Sequence, residues 1–366
     1  MRHLETLLEE GLNWVVLEEL LARHRVLALF VLNLRAAGLW ELVPRKRRGI
    51  LENRLRSNQF RQLAAIRDLI EVAKSLSERR IESICLKGPT LGVLLYKDPL
   101  LRHYSDLDIL VRRKDVSDTV AILLRLGFRL SDLHDIQTRE DSDPMWKHLY
   151  HVHLERGSLT LELHWRLSRN DRLYNYPIEQ LFTEKQKIHL GGGVLYTLSN
   201  VHLQDYIALH GASHCWNRLK WLHDAKLICS QAEDFIEDRP QTEAVRLMYS
   251  LSHRLWQQDF LQPMQSSQCR ITSLCFRQLV SPEEHPRAIS NMLRRTWVLA
   301  LLCPSLSAKL AYLSGIFVWP DVYQRIRLPR ALSPLYYFLG PIFWAISQVR
   351  LLASRAFDSI QLRGGR

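Results

Sequence analysis

The sequence predicts an α+β fold: a small mixed β-sheet with helices on one side, an N-terminal helical segment and a large C-terminal helical region. Three observations predict it. Apolar residues recur at helical spacing before residue 80 and again after residue 199. Between them, short runs alternate apolar and polar residues with the two-residue period of strands. Helical patterns and Gly-containing turns separate these runs. The expected divisions are 1–80, helices packing on the core; 81–198, the core itself; and 199–366, helices.

In chain order, Leu4, Leu7, Leu8, Leu12, Val15, Val16, Leu20 and Leu21, then the apolar residues of 26–34, predict helices over 4–42, with Gly38 as a stop. Arg45-Lys46-Arg47-Arg48 follows Pro44 and reads as a solvated helix start in preference to a nucleic-acid patch. Residues 49–79 predict one long helix with Leu51, Leu55, Phe60, Leu63, Ile66 and Ile70 on a recurring face. A strand at 81–86, a helix at 90–96, a strand at 106–111 and an amphipathic helix at 114–126 closed by Gly127 follow. Residues 128–130 start another strand, 131–147 form a polar excursion, and 150–155 and 159–167 read as strands across the turn Arg156-Gly157-Ser158. Gly191-Gly192-Gly193 is a tight turn and not a phosphate loop, because no Lys-Ser/Thr follows it. Beyond 199 the pattern gives helices at 201–214, 219–230 and 243–262. Residues 331–349 carry no charge and approach the length of a membrane span, but Pro334, Gly340 and Pro341 interrupt them. Two short buried helices are expected there, with peripheral membrane contact as the alternative.

Composition excludes a disordered chain, apart from 363–366, since 47% of residues are hydrophobic. The net charge of +12 suits anionic partners without choosing among them. None of the six cysteines forms a Cys-x-x-Cys pair, which leaves a zinc ribbon unsupported. Those cysteines and the acidic, amphipathic start point to a reducing cytoplasm, with membrane association through 331–349 as the variant.

The most informative residues are Ser105-Asp106-Leu107-Asp108-Ile109-Leu110-Val111. On a strand, Asp106 and Asp108 share one face while Leu107 and Ile109 enter the other. Two adjacent carboxylates repel unless cations sit between them, and hard oxygen ligands suit Mg²⁺ or Mn²⁺. Solvated acids at a strand edge are the competing reading. His210 and His214 are spaced as a helical metal pair, but the motif lacks the glutamate of His-Glu-x-x-His metalloproteases.

These residues resemble the DNA polymerase beta-like nucleotidyltransferase superfamily, and more narrowly the bacterial family NTP_transf_5. The resemblance rests on Leu86-Lys87-Gly88, the turn Tyr96-Lys97-Asp98-Pro99, Arg102, residues 105–111 and Leu161-Glu162-Leu163-His164-Trp165-Arg166-Leu167. It continues more weakly in Arg23-His24-Arg25-Val26 and Trp221-Leu222-His223-Asp224, and covers residues 1–230. It implies that Asp106 and Asp108 hold divalent metal, and that Glu162, mid-strand among apolar neighbours, completes the set or acts as general base. An arginine salt bridge is the other reading of Glu162. Lys87 and Gly88 stand where the superfamily has a Gly-Ser turn for phosphates. Pro89 replaces the serine and removes an amide donor. Arg102 is expected to contact the triphosphate or to be an ordinary surface arginine, and Ser105 to join the phosphate-binding set or to cap or bond locally. His164 and Asp224 are read as substrate contacts, or respectively as a hydrogen-bonded histidine and as the partner of an arginine.

The implied activity is metal-dependent transfer of a nucleoside monophosphate from a nucleoside triphosphate to an acceptor hydroxyl or phosphate, with release of pyrophosphate. The acceptor is expected to be a small molecule, peptide or carbohydrate rather than nucleic acid, and the resemblance suggests a natural-product or surface-polysaccharide pathway. The alternatives are a catalytically degenerate nucleotide-binding or scaffold protein, and a toxin-like transferase acting on tRNA or protein.

Overall fold

The computed structural model describes residues 2–9, 11–131, 136–138, 140, 143, 146, 149–168, 173, 174, 176–231, 241–256, 266–281, 289–316, 322, 325, 326, 328–347 and 349. Most of the expected excursion over 131–147, the continuation of a helix beyond 256 and the tail 363–366 lie outside these residues.

Four helices open the chain: α1 (Arg2–Glu9), α2 (Trp14–His24), α3 (Leu27–Ala36) and α4 (Arg45–Glu78). The Asn13 side chain accepts from the Val16 N–H at 3.2 Å and starts α2. Arg25, in the left-handed region at φ 56°, ends it. The basic run forms the first turn of α4, where Arg47 reaches the buried Glu18 at 3.0 Å and Arg48 pairs with Glu41. The buried face of α4 differs from the one expected. Phe60 and Leu63 are exposed, and Gln62, Ala65, Ile66, Leu69, Val72 and Leu76 turn inward. The sheet selects this stripe, which keeps the helical spacing but carries a glutamine at its start.

The sheet has seven strands: β1 (Ile84–Cys85), β2 (Asp106–Leu110), β3 (Arg129–Leu130), β4 (His151–Arg156), β5 (Leu159–His164), β6 (Gln186–Leu190) and β7 (Gly193–Thr197). Their order is β3-β4-β5-β2-β1-β7-β6. β2 runs parallel to β5 and β1 parallel to β7; the other pairs are antiparallel. Gly157, at φ 61°, is the first of two residues joining β4 to β5, as a type II′ turn requires. Gly191 and Gly192, both at positive φ, join β6 to β7 in the manner of a type I′ turn. The triple glycine is therefore a hairpin tip, and sequence reading missed the strands on either side of it.

One sheet face is apolar. Leu107, Ile109, Leu161, Leu163, Val152 and Leu154 pack there with α4 and with α6 (Val116–Arg125). On the opposite side, Ile84, Leu86 and Leu110 join a second core with α5 (Pro89–Tyr96), α7 (Ile178–Thr183), α8 (Asn200–Ser213), α9 (Leu219–Ser230) and α10 (Glu243–Trp256). Helices α11 (Ser266–Val280), α12 (Ile289–Leu301) and α13 (Leu306–Ile316) follow. Residues 336–347 form a helix that runs through Gly340 and Pro341. It is not the expected pair of buried helices: Tyr336 is buried, while Phe338, Ile342 and Ile346 are exposed.

Two polar clamps tie the C-terminal helices to the sheet. Arg102, between α5 and β2, donates to Asp224 on α9 through Nε at 3.0 and 3.1 Å and through Nη2 at 2.9 Å. Tyr96 OH donates to Asp224 Oδ1 at 2.7 Å. His24 Nδ1 accepts the Leu219 N–H at 3.2 Å and fastens the start of α9 to α2. Arg102 is 1% and Asp224 0% exposed. Asp224→Ala leaves a buried guanidinium without its counter-charge, so a stability loss of about 3–5 kcal/mol is expected in urea unfolding. A loss below about 1 kcal/mol contradicts this role.

Candidate active site

The pleat assembles the site. β2 and β5 are in register with Asp106 opposite Thr160, Asp108 opposite Glu162 and Leu110 opposite His164. β4 adds His153 beside Glu162 and His151 beside His164. With side chains alternating, Asp106, Asp108, Glu162, His164, His151 and His153 share the face opposite the apolar one. A cavity of about 610 Å³ opens over this floor. Its walls include Tyr206, His210, Ser213 and His214 from α8, Lys220 and Trp221 from α9, and Arg295 from α12.

Asp108 is 2% exposed. Lys87 Nζ stands 2.8 Å from Asp108 Oδ1, an ion-pair distance without hydrogen-bond alignment, so both oxygens of this buried carboxylate lack a hydrogen-bond donor. Burial raises the pKa of Asp108, against the opposing pull of Lys87 and His164. Lys87 itself is held protonated: burial disfavours its charge, but Asp108, Asp106 and Glu162 outweigh burial and raise its pKa well above the usual value.

Glu162 lies among histidines rather than arginines. His164 Nε2 is 3.2 Å from Glu162 Oε2, and His153 Nε2 is 3.5 Å from Oε1. Burial opposes the charge of Glu162, yet these histidines and Lys87 hold its carboxyl well below the usual range. His164 Nε2 also lies 3.4 Å from Asp108 Oδ1. Burial works against the imidazolium, while Asp108 and Glu162 raise its pKa above 6.5. One donor atom each from Asp108, Glu162 and His164 fall within 4.8 Å of one another. Asp106, one pleat along β2, belongs to the same face but not to that group.

The other expected residues are dispersed. Gly88, at φ 79°, precedes α5 and lines the cavity with Lys87. Arg102 lines it too, but its guanidinium is committed to Asp224, which is fully buried and does not line the cavity. Ser105 is exposed; its N–H and hydroxyl donate to Asp106 Oδ1 at 3.3 and 3.2 Å, and it accepts from Arg25 at 3.0 Å. His210 and His214 line the cavity, and burial pushes the pKa of both well down.

Sequence reading missed Lys220, Arg295, His151 and His153. Lys220 is 5% exposed, and burial together with Arg102 and Arg25 lowers its pKa well below the usual value. A lysine on an amphipathic helix carries no signal that it faces a cavity. The His-x-His spacing in a strand did carry one, since it places both rings on the face of Glu162.

A family model described as an uncharacterised nucleotidyltransferase matches residues 10–250. The chain belongs to this nucleotidyltransferase family. It is an enzyme of that class, and transfer of a nucleoside monophosphate is its general chemistry. A search of curated proteins gave no match. Among solved structures, the solution structure of the antibiotic-resistance factor ANT(2'')-Ia is 12% identical, covering 54% of this chain and 95% of that one, with a TM-score of 0.36. The crystal structure of ANT(2'')-Ia with adenylyl-2''-tobramycin is 12% identical over 52% and 98% of the two chains, with a TM-score of 0.34. An antigenic nucleotidyltransferase-like protein from Paracoccidioides brasiliensis is 13% identical over 58% and 91%, with a TM-score of 0.33.

The electrostatics of this nucleotidyltransferase give a pH test. Burial opposes ionisation of Asp106, but Lys87, Lys220 and Arg25 prevail and lower its pKa from 3.8 to about 2. A carboxylate depressed by folding stabilises the fold above its unfolded pKa, and that contribution fades as the pH falls through the folded value. The window here runs from 3.8 down to about 2. Asp106→Asn is expected to lose stability less steeply than the wild type across that window, in urea titrations at fixed pH. Equal slopes contradict the assignment.

Proposed function

We propose that the chain carries out metal-assisted transfer of a nucleoside monophosphate from a nucleoside triphosphate to an acceptor hydroxyl or phosphate. The observation that carries this reading is the pairing of Asp108 with Glu162 across β2 and β5, with Asp106 on the same face, at the floor of a cavity. The residues fit a divalent ion: three carboxylates share one sheet face, two of them close together, and among the described residues neither oxygen of the buried Asp108 has an aligned hydrogen-bond donor. Mg²⁺ or Mn²⁺, when bound by Asp106, Asp108 and Glu162, supplies Lewis-acid stabilisation of the phosphate charge.

The chain's own groups do the rest. An acceptor oxygen attacks the α-phosphorus, a hydroxyl acceptor losing its proton to solvent; the bond from that phosphorus to the bridging oxygen breaks, and pyrophosphate leaves with the electron pair. Lys87, next to the positive-φ turn at Gly88, is the cation assigned to the phosphates, with Arg25 on the cavity wall. Arg102 holds α9 rather than a phosphate, and Ser105 orients Asp106. His164 bridges Asp108 and Glu162. The depressed pKa of Glu162 suits a ligand better than a general base.

A concave site of about 610 Å³ favours a small-molecule acceptor, or the end of a peptide or carbohydrate, over nucleic acid. Among the described residues its helical wall carries Arg218 and Arg295 and no acid, which favours a neutral or anionic acceptor over a polycation. Peripheral membrane contact through 331–349 belongs to the same proposal, supported by the exposed Phe338, Ile342, Ile346 and Val349. No helix among the described residues is long and apolar enough to cross a membrane.

One observation favours a second reading, a catalytically degenerate nucleotide-binding protein. The Lys87 ammonium at 2.8 Å already supplies Asp108 with a positive charge. Incubation with labelled nucleoside triphosphates and an acceptor library separates the two. The transferase reading expects label in an acceptor only with Mg²⁺ or Mn²⁺, reduced at least about a thousandfold in Asp108→Asn. Triphosphate binding without transfer to any acceptor, unchanged in Asp108→Asn, supports the degenerate protein.

A further inference from the structure

The sheet face carries a second cluster that shares Glu162 with nucleotidyl transfer and adds two histidines to which that reaction gives no role. Beside the inner group of Asp108, Glu162 and His164 stand His151 and His153 on β4, two residues apart and therefore on one face. The β4–β5 register sets His153 directly opposite Glu162. One donor atom each from His151, His153 and Glu162 fall within 4.8 Å of one another. The two rings are 4.7 Å apart and nearly perpendicular, at 89°. His151 Nδ1 is buried and has no hydrogen-bond partner among the described residues.

Glu162 faces both clusters with different oxygens. Oε2 lies 3.2 Å from His164 in the inner group, and Oε1 lies 3.5 Å from His153 in the outer one. The outer group is open to solvent, since the His153 side chain is 37% and that of Glu162 21% exposed. His151 and Glu162 line the cavity, and His153 stands beside them outside its lining.

We propose that His151, His153 and Glu162 form a second metal site, selective for a Zn²⁺-class transition ion and bridged to the Mg²⁺-type clamp by the Glu162 carboxylate. Two imidazoles and one carboxylate, with a fourth position open, make up a donor set that zinc accepts. Imidazole nitrogen suits Zn²⁺, Co²⁺ and related ions, whereas Mg²⁺ takes oxygen. Donors around a tetrahedral zinc lie roughly 3.4 Å apart, given bonds of about 2.0–2.1 Å. The spacings here, within 4.8 Å, exceed that by at most about 1.4 Å. Such an ion fixes Oε1 and leaves Oε2 to the inner group. The bridge rests on the transferase reading, but occupation of the site by the ion needs neither triphosphate nor acceptor.

The test uses the full-length protein, stripped with a chelator and titrated with Co²⁺ in excess Mg²⁺. Visible absorption is the readout, so no activity is required. One equivalent of Co²⁺ is expected to bind with the intense d–d bands of a four-coordinate site, and Zn²⁺ to displace it. His151→Ala and His153→Ala are each expected to weaken binding at least tenfold, while Asp106→Ala leaves it unchanged. His153→Gln, on a half-exposed strand position, serves if the alanine variant does not fold. Absence of saturable Co²⁺ binding overturns the proposal. So does displacement by Mg²⁺, or a site lost in Asp106→Ala and kept in both histidine variants.

Discussion

Two carboxylates meet across the β2–β5 ladder, Asp108 opposite Glu162, and the rest of the site answers the repulsion this pairing creates. Within 4.8 Å, at an effective dielectric of about 20, two unit negative charges repel by about 3 kcal/mol. Lys87 at 2.8 Å from Asp108 offsets that on the same scale with an attraction of about 6 kcal/mol. His164 touches both acids and His153 touches Glu162. Lys87 and the two histidines let the strands hold the buried Asp108 opposite the partly buried Glu162. With them, the floor of the cavity is a place where positive charge is always wanted.

The helices serve that floor. Arg102 and Tyr96 converge on Asp224, and His24 holds the start of α9, so the wall carrying Lys220 and Trp221 is fixed to the strand loops by buried polar contacts. The link from α8 to α9 passes through two left-handed residues, Cys215 at φ 51° and Trp216 at φ 50°. The Trp216 indole fills the space over Gly211, where a Cβ would lie 2.5 Å from it. Glycine at that position lets the helix bring His210 and His214 to the cavity edge.

What the sequence revealed follows from how strongly each pattern is constrained. Asp106 and Asp108 were legible because a period of two leaves no choice of face, and Leu-Glu-Leu-His at 161–164 repeated the same alternation. That Glu162 joins the two aspartates was expected only through the resemblance; its register directly opposite Asp108 was not legible, because register between parallel strands far apart in sequence depends on the whole sheet. β6 and β7 escaped notice because Gln186, Lys187 and His189 dilute the first and a glycine opens the second. Phe60 and Leu63 looked like core residues, but α4 is turned by what the sheet offers it, and a buried Gln62 donates to the Arg102 carbonyl at 2.8 Å instead. The role of Arg102 was set by Asp224, 122 residues away, which local spacing does not encode.

The central claim is that this floor binds divalent cation and triphosphate together. Isothermal titration of ATP, GTP, CTP and UTP into the wild type and into Asp108→Asn, with Mg²⁺ and with chelator, tests it most directly. The account predicts that at least one triphosphate binds tenfold or more tightly with Mg²⁺, and that Asp108→Asn abolishes the difference. Equal affinity with and without the ion, in both proteins, contradicts it.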